Sequence, residues 1–205
     1  MKFPKSLEEL IESFKLLPGI GEKNAERLSF AVLHFSEENA NKFSSAITNV
    51  KTKIKKCKIC NNYTEDSDIC GICSDEKRDK STICVVENAK DLILFEKANA
   101  YKGIYHVLEG LISPLEGVNP EDINIDSLIK RVEENKTKEV IVVLKPSIEG
   151  ETTALYISRM LSSFDVRVTK IAHGIPMGTD MDYIDVLTLE MALEDRKVIN
   201  SDANN

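Results

Sequence analysis

Residues 57–73 read CKICNNYTEDSDICGIC, and this stretch decides how the chain is organised. It holds two Cys-x2-Cys pairs, Cys57 with Cys60 and Cys70 with Cys73, separated by nine residues. Each pair can turn both sulfurs toward one ion, so four thiolates can surround Zn²⁺ tetrahedrally. Four protein ligands leave no open position for water, which favours one structural zinc over a catalytic one. The sequence therefore predicts a zinc finger.

The composition on either side of the cysteines is that of a globular protein. Of 205 residues, 42% are apolar and 30% are charged, which excludes low-complexity and collagen-like chains. The most apolar stretch, residues 140–144, is far too short to span a membrane. The first ten residues contain no apolar signal core, so we expect a cytoplasmic protein. In that compartment the five cysteines are expected to bind metal or fill the core.

Charge is distributed unevenly along the chain. The 27 Lys and Arg residues face 34 Asp and Glu residues, which gives a net charge of −7. Residues 1–80 carry 14 basic and 13 acidic residues, whereas residues 81–205 carry 13 and 21. A net negative chain does not coat nucleic acid by bulk electrostatics. Any contact with nucleic acid is therefore expected in the first 80 residues.

Three helices are predicted ahead of the cysteines. Apolar residues recur at helical spacing over residues 6–16, 22–34 and 36–54. Ser6 and Glu9 match a capping box at the start of the first helix. The apolar residues that we expect the second and third helices to bury are Ala25, Leu28, Phe30, Ala31, Leu33, Ala40, Phe43, Ile47, Val50 and Ile54.

The first two helices are joined by LPGIG, residues 17–21. Gly19 and Gly21 allow a tight turn that aims backbone N–H groups outward at a helix N-terminus, which suits a phosphate oxygen. Lys23 and Arg27 lie one helical turn apart and share a face. Together these residues would hold a DNA backbone without reading its sequence. The alternative is an ordinary helix–helix turn whose solvated cations are neutralised by the adjacent glutamates.

Strands and helices alternate after the cysteines. Strands are predicted at 83–86, 105–108, 140–144 and 166–171, and helices at 89–98, 125–134, 152–164 and 184–193. This alternation implies a mostly parallel sheet covered on both faces. The fold class is α+β with several domains, and Cys84 is interpreted as a small buried hydrophobe within the first strand.

Three glutamates follow the predicted strands. Glu87 comes directly after the first strand, at the end where parallel sheets build their sites. Glu149 and Glu151 follow the strand at 140–144. Converging carboxylates would hold Mg²⁺. The alternative is that the glutamates at the start of the following helix interact with its dipole, and both interpretations stay open.

Six phrases, in this order, resemble the RecR family of bacterial recombination mediators over essentially the whole chain. The resemblance implies a helix-hairpin-helix region for DNA binding and assembly over 1–56, a four-cysteine zinc finger over 57–73, a Toprim domain over 80–175, and a C-terminal loop and helix with a frayed tail over 176–205. The phrases are LPGIGEKNAERLSF, CKICNNYTEDSDICGIC, ICVVENAKDL, YHVLEGLISPLEG, PSIEGETTALYI and IAHGIPMGTDMDY.

One departure from catalytic Toprim enzymes bears on activity. Those enzymes carry Asp-Pro-Asp-Arg-Glu-Gly-Glu where this chain has KPSIEGE at residues 145–151. Lys145 and Ser147 replace the two aspartates that ligate magnesium, and an ammonium group at that position opposes a metal ion. The resemblance therefore implies a protein that is not an enzyme. The alternatives are a magnesium-dependent Toprim enzyme that nicks or primes nucleic acid, and a zinc-stabilised regulator that binds only protein.

The resemblance also implies partners and an assembly. Family members form a ring, expected here to be a tetramer built from dimers, that encircles DNA, and they act with RecO and RecF to load RecA at gaps covered by single-strand-binding protein. The expected DNA-binding residues are Gly19, Gly21, Lys23 and Arg27. The acidic residues Glu87, Glu149 and Glu151 are expected to bind a basic partner such as RecO. No membrane partner is expected.

Overall fold

The computed structural model describes residues 3–99, 101–172 and 174–196. The chain forms two compact units, Met1–Ile54 and Lys55–Asn205, and each has its own buried core. The expected frayed tail at 200–205 lies outside the described residues. Within the described ranges, no helix combines the length and the apolar character that a membrane crossing requires.

The first unit is helical. It consists of α1 (Lys5–Lys15), α2 (Glu22–Leu33) and α3 (Glu37–Lys53). Its small core joins Leu7 and Ile11 of α1 to Ala25 of α2. The Ser36 side chain caps α3 by accepting a hydrogen bond from the Asn39 N–H.

Two expectations for the first unit are wrong. The Ser6–Glu9 capping box does not form, because the N-cap of α1 is Pro4, two residues before Ser6, and the Pro4 carbonyl accepts the N–H groups of Leu7 and Glu8. The apolar residues assigned to the core on α2 and α3 are also largely exposed. No residue of α3 is buried. The residues expected in the core that are at least 37% exposed are Phe30, Leu33, Phe43, Ile47, Val50 and Ile54.

The second unit contains the cysteines and a sheet with its helices. The short strands β1 (Lys55–Lys56) and β2 (Tyr63–Thr64) pair antiparallel. The elements that follow are α4 (Gly71–Ser74), β3 (Asp79–Val86), α5 (Ala89–Ala98), β4 (Gly103–Val107), α6 (Ile125–Asn135), β5 (Glu139–Val143), α7 (Ile148–Met160), β6 (Arg167–Lys170) and α8 (Val186–Glu194).

The four longer strands form a parallel sheet in the order β4-β3-β5-β6. At its centre, Val85 of β3 lies between His106 of β4 and Val142 of β5. Because the strands run in one direction, their carboxyl ends meet at the same edge. That edge carries Glu87 and Lys145.

Both faces of the sheet are covered, as the alternation of elements predicted. Ile83 and Val85 point to one face, where side chains of α6 and α7 complete the larger core cluster. Cys84 and Val86 point to the other, where Leu92 of α5 packs against them. Burial raises the pKa of the Cys84 thiol to about 12, so this cysteine stays protonated as part of the core.

The predicted start of α7 is wrong by four residues. The helix begins at Ile148 rather than 152, because the Ser147 side chain caps it by accepting the Gly150 N–H at 3.2 Å. It ends at Met160, four residues before the predicted end. The helix therefore includes Glu149 and Glu151 in its first turn.

Candidate zinc centre and nucleic-acid interface

The four paired cysteines converge on one point. Their sulfur atoms all lie within 4.8 Å of one another, and the Sγ atoms of Cys60 and Cys70 are 3.5 Å apart. Tetrahedral zinc with Zn–S bonds of about 2.3 Å separates its sulfurs by about 3.8 Å. All four cysteines are buried. The donor set and its geometry suit one structural zinc ion.

Local backbone structure presents the sulfurs. The β1–β2 hairpin frames the first pair, and Asn61 takes a left-handed conformation, with φ of 62°, at the turn. Cys57 N–H donates to the Asn62 carbonyl oxygen at 2.7 Å. Cys70 N–H donates to Cys57 Sγ at 3.3 Å, and a hydrogen bond of this kind favours a thiolate. Cys70 is also the N-cap of α4, the helix that carries Cys73.

The zinc finger is attached to the end of β4. Val107 N–H donates to the Cys60 carbonyl oxygen at 2.8 Å, and Asn61 Nδ2 donates to the Val107 carbonyl oxygen at 3.3 Å. From α6, Arg131 Nη2 donates to Cys73 Sγ at 3.8 Å. No local sequence pattern points to Arg131, since it lies 58 residues from Cys73 along the chain.

An acidic cleft of about 470 Å³ lies at the carboxyl edge of the sheet. Glu87 follows β3, Glu109 follows β4, Lys145 follows β5, and Glu149 projects from the first turn of α7. Glu109 N–H donates to the Glu87 carbonyl oxygen at 2.7 Å, which joins the first two strand ends. We name these four residues, with Ser113, Glu116 and Asp122, the carboxyl-edge cleft.

Glu109 is not among the site residues predicted from the sequence, although the sequence carries a signal for it. The phrase YHVLE repeats the pattern of CVVE, in which a buried strand ends on a glutamate. Glu109 also forms an ion pair with Lys56 of β1.

The electrostatics of Glu149 come from its helix position. Its own backbone N–H, the Ser147 hydroxyl and the Lys145 ammonium hold the pKa of Glu149 below its ordinary value. The Glu149 carboxylate therefore stays ionised. The positive charge beside it is the Lys145 ammonium group.

The helical hairpin exposes two basic side chains. Gly19 turns the chain with a φ of 82°, in the left-handed region that favours glycine. Gly21 is the N-cap of α2 and has no side chain to bond the N–H groups of the first turn. Lys23 and Arg27 are exposed on α2, and neither forms an ion pair with any residue in the described ranges.

The acidic neighbours of this hairpin are partly engaged elsewhere. Glu22 pairs with Lys15 of α1 at 2.7 Å. Lys15 also bonds Glu12, and hydrogen bonds to Glu22 and Glu12 raise the pKa of the Lys15 amine. Since Glu22 already has a cationic partner, it competes less for Lys23.

Four protein-family models match consecutive parts of the chain. The RecR helix-hairpin-helix model matches residues 7–51, and the RecR four-cysteine zinc finger domain model matches 54–75. The Toprim domain model matches 81–172, and the RecR C-terminal model matches 174–197. The chain belongs to the RecR family.

Family membership confirms several predictions made from sequence. The RecR-family chain has the predicted fold class, with a helix-hairpin-helix, a four-cysteine zinc finger, a Toprim domain containing a parallel sheet, and a helical C-terminus. The match to the zinc finger model and the clustered sulfurs confirm the expected structural zinc. The domains place the protein in recombination repair.

The two glutamates at the start of α7 in this RecR-family Toprim domain point in different directions. Glu87 and Glu149 line the carboxyl-edge cleft, but Glu151 turns toward β6 and pairs with Lys170 at 3.2 Å. Throughout the described ranges, the four cysteines are the only group of three or more metal-ligating side chains close enough to share an ion. Of the two interpretations left open for these glutamates, the arrangement does not favour a three-carboxylate magnesium site, because α7 directs Glu149 and Glu151 to different sides.

Proposed function

We propose that this RecR-family protein is a non-enzymatic DNA clamp and adaptor in recombination repair, which acts with RecO and RecF to load RecA at gaps. The observation that carries the proposal is the helical hairpin, whose exposed cations have no acidic partner in the described ranges, on a chain with the RecR domain order. An acidic protein can bind DNA this way, because a ring needs only a locally basic inner surface.

Backbone binding at the hairpin is supported by two kinds of donor. The N–H groups that begin α2 and the side chains of Lys23 and Arg27 all suit phosphate oxygens, which every DNA sequence presents. Gly19 and Gly21 would permit close approach, since neither adds a Cβ atom beside the turn.

A charge-reversal experiment tests DNA binding. The double variant Lys23→Glu/Arg27→Glu is expected to lose duplex binding in a mobility assay at low salt, with unchanged zinc content and oligomer size. The matched control Lys97→Glu/Lys130→Glu makes the same charge change at exposed positions on α5 and α6. DNA affinity of the hairpin variant equal to that of the control would refute the DNA-facing role.

Self-assembly is supported by the apolar face of the first unit. Phe43, Ile47 and Val50 recur at helical spacing on α3, and each is at least 43% exposed. Phe30 and Leu33 of α2 are exposed as well. Exposed apolar side chains grouped on one face of a helix mark a contact with another protein. We assign it to another copy of the chain, in keeping with the ring expected of the family.

RecO binding is assigned to the acidic residues of the Toprim domain, Glu87, Glu149 and Glu151. Glu87 and Glu149 lie in the carboxyl-edge cleft, whose negative charge complements a basic partner, whereas Glu151 lies outside it and adds a carboxylate near Lys170. Glu149→Lys is expected to weaken RecO binding measured by calorimetry, whereas Glu134→Lys, an exposed charge reversal on α6, is expected to leave it unchanged. Equal affinities for the two variants would count against this surface.

The absence of catalysis is proposed from the residues of the cleft. Lys145 supplies a fixed cation beside Glu149, and Ser147 serves as the cap of α7 in place of a metal-ligating carboxylate. Purified protein with Mg²⁺ is therefore expected neither to nick plasmid nor to synthesise primers. Turnover that disappears in Glu87→Gln would establish the alternative, a magnesium-dependent Toprim enzyme.

A further inference from the structure

Arg131 is a buried cation with an unusual set of partners. It lies on α6 and is 6% exposed. Its Nη1 donates to the Tyr105 carbonyl oxygen of β4, and its Nη2 donates to Cys73 Sγ. Its Nε has no hydrogen-bond partner in the described part of the chain.

No carboxylate of the described residues balances this charge. Arg131 forms no ion pair with any Asp or Glu of residues 3–99, 101–172 and 174–196. The buried imidazole of His106 is close enough to be affected by the guanidinium, but it is neutral or cationic and never anionic. Burial of an unpaired charge is costly, and buried arginines are therefore paired with anions.

The cysteine cluster supplies the missing anion when zinc is bound. Four thiolates around one Zn²⁺ carry a net charge of −2. We propose that Arg131 is the charge partner of the zinc–thiolate cluster: its guanidinium bonds the Cys73 sulfur, offsets part of the cluster's negative charge, and ties the zinc finger to the Toprim domain. Groups that bond metal ligands in this way contribute to metal affinity.

The interaction acts in both directions. Zinc release removes the zinc–thiolate cluster, and Arg131 then loses the partner that offsets its buried charge. Loss of the metal should therefore destabilise the Toprim core as well as the zinc finger. Replacement of Arg131 by an apolar side chain of similar length should weaken zinc binding. In the metal-free protein the same replacement should remove the cost of a buried, unpaired charge.

Zinc competition on the full chain tests the proposal. Arg131→Met is expected to lower zinc affinity by about 10- to 100-fold in titrations against a colorimetric chelator. Arg131→Lys keeps the positive charge, but lysine is shorter and lacks the forked N–H donors of the guanidinium. An intermediate loss of zinc affinity is therefore expected. The matched control is Arg78→Met, which removes another largely buried arginine of this unit, bonded to Glu96 and the Gly103 carbonyl oxygen rather than to a cysteine.

Two further measurements separate a charge partner from a packing residue. After zinc is removed, Arg131→Met is expected to unfold at a denaturant concentration equal to or above that of metal-free wild type. In cobalt-substituted Arg131→Lys, the sulfur-to-metal charge-transfer band is expected to move to lower energy, because the thiolate loses a hydrogen-bond donor. The proposal is overturned by an Arg131→Met zinc affinity within about threefold of wild type, by an equal loss in Arg78→Met, or by an unshifted cobalt band.

Discussion

His106 shows how a single buried residue ties the stability of the Toprim domain to pH. Its Nε2 lies 2.8 Å from the Asn124 carbonyl oxygen. A carbonyl oxygen only accepts, so Nε2 carries the hydrogen and Nδ1 is unprotonated. Burial lowers the pKa of His106 to about 4, with a smaller contribution from the nearby Arg131 charge.

This lowered pKa predicts a loss of stability in weak acid. The unfolded chain, with an ordinary histidine pKa, takes up a proton before the folded chain does. The contribution of His106 is therefore fully present above pH 6.5 and is lost as the pH falls toward 4. Between pH 6.5 and 5 the loss amounts to about 2 kcal/mol of unfolding free energy.

Urea titrations of wild type and His106→Gln at several pH values between 7 and 5 measure this contribution. The glutamine amide can retain a donor near the Asn124 carbonyl oxygen but does not titrate. The stability difference between the two proteins should shrink as the pH falls, while zinc content stays constant in both. A difference independent of pH would show that His106 is not held neutral by the fold.

At the scale of an element, the start of α7 depends on one glycine. A Cβ atom at Gly150 would lie 2.1 Å from the Lys145 carbonyl oxygen, which is backbone and cannot rotate away. This close approach places the first turn of α7 against the end of β5, where Lys145 and Glu149 line the carboxyl-edge cleft.

Gly150→Ala is therefore expected to destabilise the Toprim domain by about 1–3 kcal/mol, because α7 must shift to admit the methyl group. Chemical denaturation followed by circular dichroism measures the change. Gly174→Ala is the control, since no atom of the described residues is found within 4 Å of its Cβ position, and its effect should stay within about 0.5 kcal/mol. Equal stabilities for the two variants would mean that the turn adapts without cost.

The elements differ in how well the sequence predicts them. The strands of the sheet are short, buried and rich in β-branched residues, so a run such as Val140–Val143 is readily predicted as a strand. The start of α7 was missed because Gly150 reads as a loop residue when its packing against Lys145 is unknown. Periodicity predicts that the apolar stripe of α3 is buried, but it does not say which chain buries it. The role of Arg131 cannot be predicted from the sequence, because Arg131 and Cys73 are far apart along the chain and form no local pattern.

At the scale of the whole molecule, the apolar stripe predicts an assembly that depends on α3. Ile47→Asp/Val50→Asp places two charges on residues that are 57% and 60% exposed in the single chain, so folding should be unaffected. Light scattering is expected to show a mass reduced roughly to half or less, as in the loss of one interface of a symmetric ring. Ser45→Asp, on the opposite side of α3, should leave the mass unchanged. An unaltered mass in the double variant would place the interface elsewhere.

A ring that encloses DNA makes a further prediction, which separates enclosure from simple adhesion. The test uses a salt concentration high enough to weaken the contacts with phosphate. Wild-type protein should then stay on a circular duplex, because a closed ring cannot leave it. After the circle is cut once, the protein should slide off the free ends. Ile47→Asp/Val50→Asp should leave both substrates at the same rate, since an open assembly does not enclose the duplex. Gel filtration of protein with circular and linear DNA of the same sequence measures retention. Equal retention of wild type on the two forms would show that the protein binds the surface of DNA without surrounding it.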